Sequence, residues 1–236
     1  MTDIPWLDSE LVAFPPIDSA LREPDGLLAA GGDLSVARLS RAYQLGIFPW
    51  FEEGQPILWW SPDPRSVIFP DQFKASRSLA RLLRKNKFEV RRDTAFNQVI
   101  DACSEPRSYS QGTWITDEMK DAYRELHYRG IAHSIECYLD SELVGGLYGI
   151  GLGKLFFGES MFHRVSDASK VAFAFLNRLM VSNDCPLIDC QIPNDHLLSL
   201  GAHSITRYEF KRYLQKFARH PDPIVWSTLP SLLSPW

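Results

Sequence analysis

HSIECYLDSELVGGLYGIGLGKLFFGESMF, running from His133 to Phe162, contains three strand-like runs separated by turn residues. The runs are His133–Leu139, Leu143–Ile150 and Lys154–Phe162, and Asp140-Ser141 and Gly151-Leu152-Gly153 supply the turns. Connections this short predict an antiparallel meander. Downstream, the pattern predicts a helix over Ala168–Ser182, a short apolar strand at Leu187–Gln191 and a short helix near Asn194–Leu200 that ends at Gly201. A strand over His203–Thr206 and a last helix from about Arg207 complete it. Upstream, Ser76 caps a helix to about Asn86, and Phe96–Cys103 and Thr116–Arg129 also read as helices. In the last of these Thr116 is the cap, and Met119, Ala122, Tyr123 and Leu126 form the buried stripe. One sheet with helices packed on it is an α+β fold.

The chain before Pro64 has a different character. One helix, capped by Asp33 or Ser35 and ended by Gly46, places Leu39, Ala42 and Tyr43 on one face. Gly46–Phe51 and Ile57–Arg65 crowd aromatic residues around prolines. That density reads as a rigid lid or satellite domain, or, for Trp59 and Trp60, as plain core packing. The expected organisation is a small N-terminal domain over 1–64 and a larger one over 65–236.

Composition narrows the function. The chain has 236 residues, 45% of them hydrophobic, which is enough to build a substantial core. No apolar run approaches the roughly 20 residues that span a membrane. Met1–Leu11 carries acids and lacks a signal-peptide layout, so the expected location is the cytoplasm. Cys103, Cys137, Cys185 and Cys190 form no C-x-x-C pair, and no histidine cluster accompanies them, so no metal is expected. Net charge is −4, yet Phe73–Arg92 holds eight basic residues against Glu89, a segment of +7. Arg77, Arg81 and Arg84 share a helix face there, with Lys85 beside them. Such a run can be a solvated face, but an excess this one-signed points to phosphate contacts.

Two segments carry the candidate chemistry. In Leu187–Gln191, strand alternation turns Asp189 and Gln191 the same way, and Cys190 the opposite way with Ile188. The polar pair reads either as a satisfied hydrogen-bond network or as a base or orienter beside an oxyanion donor. Cys190 reads as a small core residue. In Phe156–Phe162, alternation groups Phe157, Glu159 and Met161. A carboxylate among large apolar neighbours can hold an ammonium in a dry pocket, and Gly158 lets a ligand approach the backbone; a solvent-facing edge glutamate is the alternative. The glycines of Leu143–Gly151 match no nucleotide-binding fingerprint and read as bulges or close approaches.

These motifs in this order resemble a family. Ala20–Leu34, Gly46–Phe51, Ile57–Arg65, Gly112–Thr116, His133–Glu136, Leu143–Gly149, Phe157–Phe162, Ala168–Lys170, Leu187–Gln191 and Asn194–His196 are similar to the bacterial leucyl/phenylalanyl-tRNA–protein transferases. The resemblance runs from about Phe14 to about Ala202, fading in Phe69–Asp101 and after Thr206. Ser104–Gln111 reads as a family-variable loop. The resemblance implies a GNAT-like largely antiparallel sheet with packed helices, preceded by a small N-terminal domain, and no cofactor. It implies transfer of Leu or Phe, and less well Met, from aminoacyl-tRNA to the α-amine of proteins that begin with Arg or Lys, marking them for N-end rule degradation. By resemblance, Asp189 and Gln191 match the catalytic pair and Glu159 the residue that binds the amino group. Trp50 and Trp114 match the aromatics that hold the aminoacyl-tRNA end. Leu147, Met161, Phe173, Leu176, Met180 and Ile188 fall at positions lining the amino-acid pocket, and Asn194 belongs to the matching Asn-Asp-His segment. The basic face of Arg77, Arg81, Arg84 and Lys85 would hold the acceptor stem.

The implied reaction is direct aminolysis of an activated ester, with Asp189 orienting the amine or taking its proton and Gln191 donating to the carbonyl oxygen. A coenzyme A-dependent GNAT-type N-acyltransferase is the nearest rival. Arg164–Lys170 contains no glycine, which makes a pyrophosphate loop there less expected. A tRNA-dependent transferase with a cell-wall acceptor and a non-enzymatic RNA-binding module are the others.

Overall fold

The computed structural model describes residues 4–106 and 114–227. The N-terminal part forms a four-stranded sheet from β1 (Trp6–Leu7), β2 (Leu27–Gly31), β3 (Phe48–Pro49) and β4 (Leu58–Trp60), in the order β1-β2-β4-β3. Helix α1 (Val36–Gln44) joins β2 to β3. Ser35 caps it by accepting from the Arg38 N–H, and Asp33 instead pairs with the Arg38 side chain. Trp59 is fully buried and its indole N–H donates to the Gly31 carbonyl, so it is core; Trp60 is half-buried against Trp50.

The larger part opens with β5 (Arg65–Ile68), α2 (Arg77–Arg84) and β6 (Glu89–Arg92), followed by α3 (Phe96–Ser104) and α4 (Asp117–Tyr128). The meander is β7 (Ala132–Leu139), β8 (Glu142–Leu152) and β9 (Leu155–His163). Asp140 and Ser141 make the first turn with positive φ. The second turn is tighter than predicted: β8 runs through Leu152, and Gly153 with φ +57° turns beside the Phe217 carbonyl, where a Cβ would collide. Helix α5 (Ala168–Ser182) then crosses to β10 (Leu187–Gln191), followed by α6 (Asp195–Ser199), β11 (His203–Ile205) and α7 (Arg207–Phe217).

These strands form one seven-stranded sheet in the order β11-β5-β10-β9-β8-β7-β6. Every neighbouring pair is antiparallel except β9 with β10, whose parallel pairing requires the α5 crossover. The fold is therefore α+β with a mixed, largely antiparallel sheet. Strands β5 and β6 have no counterpart among the sequence expectations. One face of the sheet packs on α1, α3, α4 and the small sheet through Tyr43, Phe96, Tyr123, Tyr148 and Phe157. The other packs on α2 and α5 through Leu79, Leu83, Leu147, Phe156, Phe173 and Ile188. The Ser104–Gln111 loop and the Gly112–Thr116 motif lie partly outside the described residues.

Candidate active site

Strands β9 and β10 stay paired for only three steps: Leu155 with Leu187, Phe156 with Ile188, and Phe157 with Asp189. Just beyond, both strands bulge. Glu159 is the extra residue of β9 against β8, and Cys190 is the extra residue of β10 against β5. A bulge bends its strand and re-aims the next side chain. A cavity of about 550 Å³ opens where the two strands part.

The cavity has two kinds of wall. Leu147, Phe156, Met161, Phe173, Leu176 and Ile188 make an apolar bay between the sheet and α5. Phe48, Pro49 and Trp50 of the small N-terminal part, Trp114 ahead of α4, and Asn194 and Leu197 at α6 also line it. Trp50 is exposed and Trp114 half-buried, so both remain accessible where they line the cavity. Asn194 also caps α6 by accepting from the Leu197 N–H. Gly158 lines the opening, and a Cβ there would meet nothing closer than the Asp189 carbonyl oxygen at 3.5 Å. Phe173 and Leu176 present one face of α5 to the cavity. Met180, one turn further, is buried in the core beyond its end and is not on the wall.

Glu159 sits on the cavity wall under three donors. Its Oε1 accepts from the Tyr43 hydroxyl at 2.7 Å and from Gln191 Nε2 at 2.9 Å, and its Oε2 accepts from the Tyr123 hydroxyl at 3.0 Å. The two tyrosine hydroxyls also contact each other. Tyr43, Tyr123 and Glu159 thus close a three-membered ring. Two phenols supply two protons, and the third is available only when Glu159 is protonated. Burial pushes the Glu159 carboxyl up to about 7, against the pull of the tyrosine donors; the Asp189 charge adds to the rise and Arg65 opposes it. Burial and the Glu159 charge hold both phenols well above their ordinary value, so they remain neutral donors.

Asp189 lies elsewhere than alternation predicts. It is fully buried and is not on the cavity wall. Arg65 Nε donates to its Oδ1 at 2.8 Å and Nη2 to its Oδ2 at 2.7 Å, a bidentate pair in which both residues are buried. The guanidinium also lies over the rings of Phe48 and Phe210, at 4.9 and 4.7 Å from their centroids. Asp189 Oδ1 accepts the Gln191 N–H at 3.0 Å, and Gln191 takes φ +61°. This bulge breaks the alternation. Gln191 swings into the cavity with Ile188 and Cys190, while Asp189 stays behind them. Burial and the Asp189 charge raise the Cys190 thiol far above its usual range, so it stays protonated.

The basic residues are where the sequence puts them. Arg77, Arg81, Arg84 and Lys85 are exposed on or just after α2, whose Leu79 and Leu83 pack inward. Among the described residues, no acidic side chain pairs with any of the four. Arg91 and Arg92 of the same segment are engaged, with Glu89 and with the Ser227 carbonyl. Tyr43, Tyr123 and Arg65 were not among the predicted site residues. The tyrosines read as core, and the missed signal is that a buried phenol needs a partner. Among the described residues, no group of His, Cys, Asp or Glu is arranged to hold a metal ion, and no helix is long and apolar enough to cross a membrane.

The cleft thus joins an apolar bay to a carboxylate ringed by three donors. The family described as leucyl/phenylalanyl-tRNA protein transferase matches residues 67–215, and its N-terminal domain matches residues 32–63. The chain is 57% identical over 221 residues to the leucyl/phenylalanyl-tRNA–protein transferase of Pseudomonas putida KT2440, covering 94% of this chain and 98% of that one. It is 57% identical over 216 residues to that of Pseudomonas aeruginosa PAO1, covering 92% and 96%. The chain belongs to the leucyl/phenylalanyl-tRNA protein transferase family. Among solved structures, L-PGS from Bacillus licheniformis is 10% identical with a TM-score of 0.40, covering 71% of this chain and 53% of that one.

Proposed function

We propose that this chain transfers Leu or Phe, and less efficiently Met, from aminoacyl-tRNA to the N-terminal amine of proteins beginning with Arg or Lys, in the cytoplasm, marking them for N-end rule degradation. Family membership over 32–63 and 67–215 carries the reading. The cavity supports it, because the bay offers apolar walls to a Leu or Phe side chain and Glu159 lies beside it. The larger domain, from about residue 65, carries the bay, and the small one contributes Trp50 to the rim, where it and Trp114 would stack on the 3′ adenosine. The exposed face of Arg77, Arg81, Arg84 and Lys85 would take acceptor-stem phosphates.

The donor is an activated ester, so the amine attacks the carbonyl directly. The C–N bond forms, the C–O bond to the ribose breaks, and the amine proton ends on the departing hydroxyl. Glu159, with its carboxyl near 7, holds an ammonium when ionised. Gln191 Nε2 gives one N–H to Glu159, and its second N–H would donate to the carbonyl oxygen as charge develops. Asp189 acts from behind: with both oxygens on Arg65 and one also on the Gln191 N–H, it orients Gln191. Labelled Leu-tRNA, incubated with an Arg-starting peptide, should give Leu-peptide, and ribonuclease pretreatment should abolish it. Acylation that survives ribonuclease and requires coenzyme A thioester would establish the rival. The start of α5, where a pyrophosphate would sit, instead holds the Asp167–Lys170 pair.

A further inference from the structure

Beyond α7 the chain returns along the sheet. The Ile224 N–H donates to the Gly153 carbonyl at 3.0 Å, and the Val225 N–H to Asn183 Oδ1 at 2.7 Å. The Ser227 carbonyl accepts from Arg92 Nη2 at 2.7 Å. Trp226, held between these anchors, stacks its indole on the His133 imidazole at 3.9 Å and 9° and meets the Phe156 ring at 5.6 Å. His133 is itself fixed at both edges, with Nδ1 2.8 Å from Asp93 Oδ2 and Nε2 3.2 Å from the Gly130 carbonyl oxygen. Gly151 leaves the space the indole fills, since a Cβ there would stand 3.2 Å from the indole nitrogen.

Phe156 is fully buried, pairs with Ile188 in register and forms part of the bay wall. Trp226 touches Phe156 but is not on that wall. The Phe156 ring therefore has the ligand space on one side and an immobilised indole against it elsewhere. A packed ring cannot retreat unless its backing does.

We propose that Trp226 is a positioning residue that sets the depth of the apolar bay by backing Phe156, and so governs the relative use of Leu and Phe donors. The proposal rests on the transferase reading above. Removing the indole frees Phe156 to move outward, and the deepened bay then favours the larger benzyl side chain.

The test measures kcat/KM for Leu-tRNA and Phe-tRNA separately, with one Arg-starting peptide, in the wild type, Trp226→Ala and Trp226→Phe. The Phe-to-Leu ratio should rise by about three- to tenfold in Trp226→Ala, mainly through KM. Trp226→Phe, which keeps an aromatic backing, should stay near the wild-type ratio. A general loss of stability would lower both donors together and leave the ratio unmoved. A ratio within about twofold of wild type in a folded Trp226→Ala overturns the proposal. If that variant does not fold, Trp226→Leu carries the same comparison, with a smaller rise expected and an unchanged ratio again decisive against it. Absence of transfer by the wild type refutes the transferase reading itself, whereas transfer with an unmoved ratio refutes only the role of Trp226.

Discussion

Glu159 combines a carboxyl raised to about 7 with three donors aimed at it. In the unfolded chain the carboxyl returns to its ordinary 4.5. Below that value both states keep the proton and the folded state carries no penalty. Between 4.5 and 7 the unfolded chain ionises first, so this group's contribution to stability falls as pH rises, and it levels off above 7. Glu159→Gln removes the titration. Its stability relative to wild type should improve from pH 4 to pH 8 by no more than about 3 kcal/mol, most of it between 4.5 and 7. Denaturant unfolding at several pH values measures it, and a pH-independent difference would remove the raised carboxyl from the account. The same variant should lose transfer by about 10- to 100-fold in kcat/KM, since an amide cannot pair with an ammonium. Glu159 and Gln191 could be singled out in the sequence as polar residues inside apolar strands. The two tyrosines could not, because a phenol in a buried stripe has the same pattern whether or not its hydroxyl reaches a carboxylate.

Among the elements, α2 has the clearest division of labour. Leu79 and Leu83 anchor it, Ser76 caps it, and its arginines lie exposed on the outer face, with no acidic partner among the described residues. Replacing Arg77, Arg81 and Arg84 by Ala should leave folding intact, weaken tRNA binding and flatten the slope of log affinity against log salt by about one for each phosphate no longer neutralised. Fluorescence binding titrations between low and moderate salt measure both. An unchanged slope would place the acceptor stem on another surface. Most helices and the meander were legible because their signals are local: caps at Ser35, Ser76 and Thr116, and positive-φ turn residues at Asp140 and Ser141. The Cys190 bulge was not, since it depends on how β10 registers against β5, more than a hundred residues earlier in the chain.

At the scale of the whole molecule, the Arg65–Asp189 pair ties parts together. Arg65 opens β5, Asp189 lies on β10, and the guanidinium meets Phe48 of the small sheet and Phe210 of α7. Arg65→Met should cost about 3–5 kcal/mol, because it leaves a buried carboxylate unpaired. Arg65→Met with Asp189→Leu should cost less than the single change, as two apolar groups need no partner. Urea unfolding of both variants decides it, and additive losses would deny the coupling. Transfer should fall in both, through misplacement of Gln191. Local chemistry in the sequence determined the strands and helices of the meander, the segregated positive charge, and the two segments from which the cavity is built, because propensity, capping and charge are carried by neighbours in the chain. Only the tertiary structure decided which polar side chains meet the cavity. Two bulges at the point where β9 and β10 part turn Glu159 and Gln191 inward and leave Asp189 behind them on Arg65. Strand alternation holds only while pairing continues, and here pairing ends at the site itself.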